Sequence, residues 1–139
     1  MATIGLISCV ALKQDHAAPA EDLYTSMLFQ KAKAYVLRKC DRWFILSARY
    51  GLLRPDQVVA PYNQTLNNMH KTEREAWAVE VHAKLRSLLR RGDRILVLAG
   101  QRYREFLLPA LQQDGYAVHV PLNGMRIGEQ LQWLKNHLT

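Results

Sequence analysis

Side chains that can bind a ligand or transfer a proton are concentrated in residues 44–66, whose sequence is FILSARYGLLRPDQVVAPYNQTL. An apolar run ends at Ser47, and a long polar segment follows it. Long ordered loops in compact domains usually carry function, so this segment predicts a strand that delivers a built site. Its candidate residues are Ser47, Arg49, Tyr50, Gly51, Asp56, Tyr62 and Asn63.

Carboxylates in or beside this segment indicate hydrolytic chemistry. Breaking a glycosidic bond requires a carboxylate that stabilises positive charge on the sugar or activates water. Asp22 and Asp56 could take that role, and Asn63 could orient the water or read the edge of a base. Asp22 also stands where the N-cap of the first helix is expected, so a structural role is an open alternative.

Aromatic and hydroxyl side chains supply the predicted ligand contacts. Aromatic faces stack on nucleobases in basic grooves, although about half of such tyrosines would instead pack under a loop. Serines at strand ends can hold an anion or a base edge, or they can cap the following turn. The candidates of these two kinds outside residues 44–66 are Ser8, Tyr24 and Tyr103.

Glycines, cations and one thiol complete the candidate set. Glycine permits a close backbone approach, although Asn123-Gly124 is also a common turn pair. Lys13, Arg49 and Arg126 could contact phosphate, and Cys9 could act as a nucleophile or simply pack as a small buried thiol. The remaining predicted binding residues are Cys9, Lys13, Gly100, Asn123, Gly124 and Arg126.

The alternation of apolar runs and helical spacing predicts how these residues are positioned. Residues 3–8, 43–47, 95–99 and 116–120 have the length and composition of strands, and four segments with helical periodicity follow them. The predicted order is β-α-β-α-β-α-β-α, a single α/β domain over residues 1–139. We expect a three-layer sandwich with a mostly parallel four-stranded sheet. The motifs all fall at the carboxyl ends of strands, where open parallel sheets usually bind ligands.

Net charge and the absence of common motifs narrow the function. The formal charge of +7 favours a polyanionic partner, either DNA or a nucleotide. A basic run from Lys84 to Arg94 could follow a phosphate backbone, although Glu80 and Lys84 also have the spacing of an ordinary helix-surface pair. Scattered histidines and the lack of a nucleotide-loop or zinc-protease motif predict no metal and no cofactor. With no leader or membrane-spanning run, we expect a cytoplasmic protein without a membrane partner; the oligomeric state stays open.

A family resemblance covers nearly the whole chain. The pattern S-x-x-Y-G-L-L-x-P followed by P-Y is similar to one in the YaaA-like peroxide-stress proteins, and it resembles more closely a family of small uncharacterised bacterial and phage proteins. Four further segments also resemble the small family: IGLISCVALK, D-L-Y, G-Q-R-Y and P-L-N-G-M-R-I-G. YaaA-like proteins are longer and linked to DNA binding and oxidative stress, and this chain has no obvious room for their additional DNA-binding element.

Three functional hypotheses follow from these patterns. The first is an N-glycosidase, similar to a DNA glycosylase, that acts on modified or foreign DNA or on nucleotides. The second, implied by the resemblance, is a non-catalytic DNA-binding or stress-protective module in phage defence or stress. The third is a binder of a small phosphorylated metabolite.

Overall fold

A computed structural model describes residues 1–8 and 13–138 of the chain. In chain order its strands are β1 (Thr3–Ser8), β2 (Ala18–Pro19), β3 (Arg42–Ser47), β4 (Gly51–Leu53), β5 (Val58–Val59), β6 (Arg94–Leu98) and β7 (Ala117–His119). The helices are α1 (Ala20–Leu23), α2 (Met27–Lys39), α3 (Lys71–Leu88), α4 (Gln101–Arg104), α5 (Leu107–Gln113) and α6 (Ile127–His137). A short 3-10 turn spans Leu66–Asn68.

The main sheet has five strands in the order β4-β3-β1-β6-β7. Strands β3, β1, β6 and β7 are parallel, and β4 pairs antiparallel with β3. Strands β2 and β5 form a separate antiparallel pair. The predicted α/β class and the mostly parallel sheet are confirmed.

Strand β4 is a correction to the predicted four-stranded sheet. The chain turns back directly after β3, because the Tyr50 N–H donates to the Ser47 hydroxyl at 3.0 Å and Gly51 adopts a φ of 74°. That left-handed conformation is easy only for glycine. Leu52 and Leu53 are then buried on an added edge strand. A three-residue strand inside a motif rich in polar residues gives too little periodicity to be recognised from sequence.

Strand β1 lies at the centre of the fold. It pairs with β3 on one side and β6 on the other, and Ile4, Leu6 and Ile7 are completely buried. Helix α2 packs on β1 and on α6, whereas α3 packs against α5 and β4. The burial of β1 between two neighbouring strands explains why its sequence is mainly apolar, since strands inside parallel sheets are typically hydrophobic.

Helix α2 approaches β1 closely at Gly5. A Cβ atom at this position would lie 3.0 Å from both the Cys40 Sγ and the Val36 Cγ1 atoms. The Cys40 thiol is partly buried in this contact, and burial raises its pKa to about 11. Gly5 is therefore required by packing and not by backbone conformation.

At the amino ends of the strands, Asp93 joins three segments of the chain. Its carboxylate accepts hydrogen bonds from the Arg90 N–H at 2.8 Å and the Ala2 N–H at 3.2 Å, and it lies 3.7 Å from the Arg42 guanidinium. The side chain is almost fully buried. The Arg90 N–H bond, followed by the Ala2 bond and the Arg42 charge, lowers the pKa of Asp93 from its usual value despite the burial.

Two kinds of feature are absent from the described residues: a helix that could cross a membrane and a cluster that could bind a metal. In residues 1–8 and 13–138, no helix combines the length and the apolar character needed to cross a membrane. No cluster of three histidine, cysteine, aspartate or glutamate side chains that could bind a metal occurs in that part of the chain.

We predict that Gly5→Ala destabilises the fold by about 1–3 kcal/mol, because the added methyl overpacks the contact between α2 and β1. Gly128→Ala is the matched control, since a Cβ there meets nothing within 4 Å and alanine favours a helix. Urea unfolding of both variants measures the difference. If Gly5→Ala and Gly128→Ala are equally stable, α2 does not pack tightly on Gly5. Adding Cys40→Ala to Gly5→Ala should restore part of the lost stability, because it removes the Sγ atom that the new methyl would contact.

We predict that Asp93 makes folding sensitive to acid. Its pKa is lowered in the folded state, so the stabilisation is complete above the ordinary value of 3.8 and is lost as the pH falls through the folded-state pKa. Asp93→Asn should lose about 1–2 kcal/mol at pH 7 and show a smaller further loss on acidification. Urea titrations between pH 7 and pH 2 test this expectation. An acid dependence unchanged from that of the exposed control Asp56→Asn would contradict it.

Candidate functional site

A cavity of about 780 Å³ opens at the carboxyl edge of the sheet, beside the ends of β1 and β6. The first turns of α2 and α6 form two of its sides, and the segment from β6 into α4 forms a third. Strands β1, β6 and β7 are parallel, so their carboxyl ends lie on one edge, where the end of β1 and the segments after β6 and β7 share the wall of one space. The predicted location of the site at the strand ends therefore coincides with a cavity.

The cavity wall is mainly apolar, with polar side chains at separate points. Typical ligand sites combine these two features. The apolar wall includes Phe29, Ala32, Val97, Leu122 and Leu131. The polar side chains on the wall are Ser8, Ser26, Asn67, Gln101, Arg104, Asn123 and Gln130, together with the hydroxyl of Tyr103.

Two long helices begin at the cavity. Helix α2 starts after Ser26, whose hydroxyl accepts the Phe29 N–H at 3.2 Å. Helix α6 starts after Arg126, whose N–H donates to the Glu129 carboxylate at 3.0 Å. The first N–H groups of a helix have no carbonyl partner within it and carry partial positive charge. Both helix starts therefore present donors to an acceptor at this edge.

Arg104 brings a full positive charge to the cavity wall. Its Nη1 atom donates to the Asn123 side-chain oxygen at 3.2 Å, which joins α4 to the loop before α6. Its Nε atom is buried and has no hydrogen-bond partner among residues 1–8 and 13–138. Buried donors without a partner are uncommon in proteins, so this atom marks a place where an acceptor would be stabilised.

The two strand-end serines have different surroundings. The Ser8 hydroxyl lies on the cavity wall and accepts the Gly100 N–H at 3.1 Å, which links the ends of β1 and β6. Ser47 is completely buried; its hydroxyl caps the turn to β4 and its carbonyl accepts the Trp77 indole N–H at 2.8 Å. Ser8 is therefore accessible to a ligand, and Ser47 holds the sheet edge to α3.

Three predicted tyrosines form a cluster behind the cavity. The Tyr24 and Tyr62 hydroxyls are 2.6 Å apart, and the Tyr50 ring packs edge-on against Tyr62 at 5.6 Å between centroids. The Lys13 ammonium lies 4.5 Å from the Tyr62 ring centroid. The cluster meets the cavity through Phe29, whose ring centroid is 5.0 Å from that of Tyr24. Tyr24 and Tyr62 are buried, which is the packing alternative foreseen for such tyrosines.

Other predicted binding residues divide between the cavity and its surroundings. Tyr103 is on the cavity wall, packs edge-on against Trp77 and receives the Leu66 N–H at its hydroxyl at 3.5 Å. Gly100, Asn123 and Gly124 also line the cavity, and Arg126 lies between two lining residues. Arg49 is over the Tyr50 ring and Gly51 faces α3, both away from the cavity wall. Cys9 lies outside the described residues.

The three predicted catalytic residues do not line the cavity. Asp22 is 56% exposed and lies 3.8 Å from the Lys33 ammonium. Asp56 is 79% exposed and pairs with Arg54 at 3.3 Å, and Asn63 is exposed. Among residues 1–8 and 13–138, the cavity wall contains no carboxylate.

Charges around this edge are largely paired. The Arg74 guanidinium lies 2.5 Å from the Glu105 carboxylate and, with Arg102, lowers the pKa of that carboxyl group. Lys33 pairs with Glu21 at 3.1 Å. The site therefore has a local charge from Arg104 but no broad excess of positive charge around it.

A family comparison matches residues 4–136 to a family of unknown function, DUF6884. The chain belongs to this family. The matched region includes the main strands and helices, and therefore the elements that form the cavity.

The DUF6884 chain is also similar to a curated bacterial protein. The uncharacterized protein YfjM of Bacillus subtilis strain 168 is 32% identical over 127 residues, which cover 87% of this chain and 82% of YfjM. The two proteins thus correspond over most of their lengths.

Sequence reasoning missed several polar residues on the cavity wall of this DUF6884 chain. Ser26 precedes an apolar periodic segment, which is an N-cap signal, and Gln101 lies inside the G-Q-R-Y motif. Arg104 directly follows that motif. Asn67 and Gln130 carry no local signal, because only the packing of the 3-10 turn and of α6 brings them to the cavity.

We predict that the Tyr24 and Tyr62 hydroxyls stabilise the loop around the site jointly. Each single change to phenylalanine should cost about 1 kcal/mol, and the double variant should cost less than the sum, because both remove one hydrogen bond. A double-mutant cycle by urea unfolding measures the coupling. Strictly additive costs would show that the two hydroxyls do not interact.

Proposed function

We propose that the carboxyl-edge cavity recognises a nucleobase, carried by a free nucleotide or by a nucleotide of DNA. The observation that carries this proposal is an apolar cavity of about 780 Å³ with amide side chains, an arginine and two helix starts around it. Cavities of roughly 300–1,000 Å³ with a few convergent polar groups are typical small-ligand sites.

The wall chemistry favours a base over a wholly polar metabolite. Phe29, Leu122 and Leu131 offer apolar surface for a flat ring. Asn123 and Gln130 each carry an amide, which combines donors and an acceptor and so matches the mixed edge of a base. A sugar or a simple phosphate would leave most of the apolar surface without a partner.

A phosphate attached to the base would find donors at the same edge. The start of α2 presents N–H groups and partial positive charge, which favour anions, whereas the Glu129 carboxylate already lies at the start of α6. Arg104 adds a guanidinium whose Nε atom has no partner within the described ranges. These groups support a nucleotide, with the phosphate at the start of α2 or at Arg104 and the base against the apolar wall.

We also infer a three-layer arrangement that explains how the cavity is enclosed. Helices α2 and α6 pack on each other and would cover one face of the sheet, while α3 and α5 pack together and would cover the other. The cavity then lies at the carboxyl edge beneath the first layer, which accounts for its lining by α2 and α6.

N-glycosidic hydrolysis stays a separate hypothesis. The reaction requires a carboxylate near the sugar. Asp22 and Asp56 are exposed, paired with cations and away from the cavity wall. The geometry therefore supports recognition better than bond cleavage.

We predict that the cavity binds nucleotides and that Gln130→Ala weakens this binding about tenfold, because the half-buried amide, which also donates to the Met125 carbonyl at 2.9 Å, is lost from the wall. Gln132→Ala is the matched control, since Gln132 lies two residues further along α6 and bonds the Asn136 side chain on the exposed surface. Calorimetric titration with nucleosides, nucleotides and short oligonucleotides measures both variants.

Binding that is absent for every ligand, or lost equally in the two variants, would overturn the proposal. Mass spectrometry of the same mixtures tests for released free base, and we expect the nucleotides to stay intact. Base release that disappears in Asp22→Asn or Asp56→Asn would instead establish the glycosidase hypothesis.

A further inference from the structure

Basic side chains gather at the amino edge of the sheet, the end opposite the cavity. They come from the end of α2, the start of β3, the segment between α3 and β6, and the end of α6. We call these residues the amino-edge basic surface. Its exposed members are Arg38, Lys39, Arg42, Arg90, Arg91, Arg94 and Lys135.

Strand register places two of these arginines at the start of β1. Arg42 lies opposite Ile4 and Arg94 lies opposite Thr3, so their side chains leave the sheet on opposite faces of the same edge. Neighbouring strands are about 4.8 Å apart, which places the two Cα atoms roughly 10 Å from each other. Beside them, the Arg38 guanidinium donates to the Leu138 carbonyl and joins the ends of α2 and α6. The cations from separate chain segments therefore gather around one edge of the sheet.

Few carboxylates neutralise the amino-edge basic surface. Asp41 accepts the Thr3 N–H at 2.8 Å, and Asp93 is buried with its own hydrogen bonds. Asp114 lies at the same edge, 2.6 Å from His82 and 3.8 Å from Arg86. Apart from that group, the seven exposed cations share the edge with two carboxylates, which leaves five of the seven net positive charges of the chain here.

The two edges are electrostatically separate. A six-residue strand is about 20 Å long, whereas charges in water are screened within about 8–10 Å at physiological salt. Around the cavity the cations Arg74 and Lys33 each have a carboxylate partner, and Arg104 supplies one local charge. Most of the positive excess of the chain therefore acts at the amino edge.

We propose that the amino-edge basic surface binds the phosphate backbone of double-stranded nucleic acid, independently of the cavity. Five of its seven cations are arginines, whose planar guanidinium groups form paired hydrogen bonds to phosphate oxygens. A duplex presents about one negative charge per 1.7 Å of its length, so several of these cations can each meet a phosphate.

A nucleic acid fits this surface better than an anionic membrane does. Surface-bound membrane helices lie flat, with basic residues on one side and aromatic or leucine side chains on the other. Here the cations stand on strand starts, a loop and helix ends. The exposed apolar side chains near them, Met1, Leu37 and Leu88, belong to three separate segments and do not share one helix face that could insert in lipid.

The test measures binding of a 20-base-pair DNA duplex by fluorescence anisotropy at several salt concentrations. The variant Arg91→Gln/Arg94→Gln removes two cations from the amino edge, and Lys71→Gln/Arg102→Gln removes two from the first turns of α3 and α4 at the carboxyl edge. Both have the same net charge. We expect the first to weaken binding at least tenfold and to reduce the salt slope by about two, and the control to change affinity by less than threefold.

Equal weakening in both variants, or none in either, would overturn the proposal, because only the location of the charges differs between them. Duplex binding that depends on Gln130 and not on Arg91 and Arg94 would also overturn it, since the cavity would then hold the DNA. Vesicles containing phosphatidylserine provide the last comparison: a loss of vesicle binding without a loss of duplex binding would assign the surface to membranes.

The same variants separate this inference from the proposed function. Arg91→Gln/Arg94→Gln should bind nucleotides like the unchanged protein, and Gln130→Ala should bind the duplex like the unchanged protein. A failure of nucleotide binding with intact duplex binding contradicts the cavity proposal alone, and the reverse result contradicts the amino-edge proposal alone.

Discussion

The pairing of β1 with parallel neighbours on both sides is the constraint on which the rest of this structure depends. A strand inside a parallel sheet must satisfy its N–H and C=O groups through both neighbours and must be apolar on both faces, because helices cover them. Strand β1 meets these conditions with fully buried Ile4, Leu6 and Ile7, and with Gly5 where α2 comes closest. Its direction also fixes which loops share an edge.

Parallel strands divide the molecule into two chemically different ends. The end of β1 and the segments after β6 and β7 help to enclose the cavity, whose wall is mainly apolar with one charged side chain, Arg104. The segments before β3 and β6 carry unbalanced cations around Asp93. Backbone hydrogen bonds join the strands between the two ends. The fold thus keeps a mainly apolar concave site and a basic surface about one strand length apart.

The cluster beneath the long polar loop shows how a motif can position a site without contacting a ligand. Tyr24, Tyr50 and Tyr62 pack on one another, and the hydrogen bond between Tyr24 and Tyr62 joins residues 38 positions apart in the chain. Through Phe29 the cluster supports the cavity wall. Buried polar contacts of this kind fix one loop conformation, because a buried hydroxyl that moved away would lose its hydrogen-bond partner.

The sequence by itself determined the α/β class, the four parallel strands and the edge at which the cavity opens, because buried strands and amphipathic helices have strong local periodicity. It also indicated Ser8, Gly100, Tyr103 and Asn123, which line the cavity. Tertiary structure alone decided that Asp22, Asp56 and Asn63 lie off the cavity wall, that β4 joins the sheet, and that Gln130 faces the cavity. It likewise placed the positive excess at the amino edge. The net charge of a sequence does not say where in the fold the charged residues lie, and the neighbours of a side chain depend on contacts between distant segments. The position of the basic surface and the lining of the cavity therefore could not be derived from local sequence patterns.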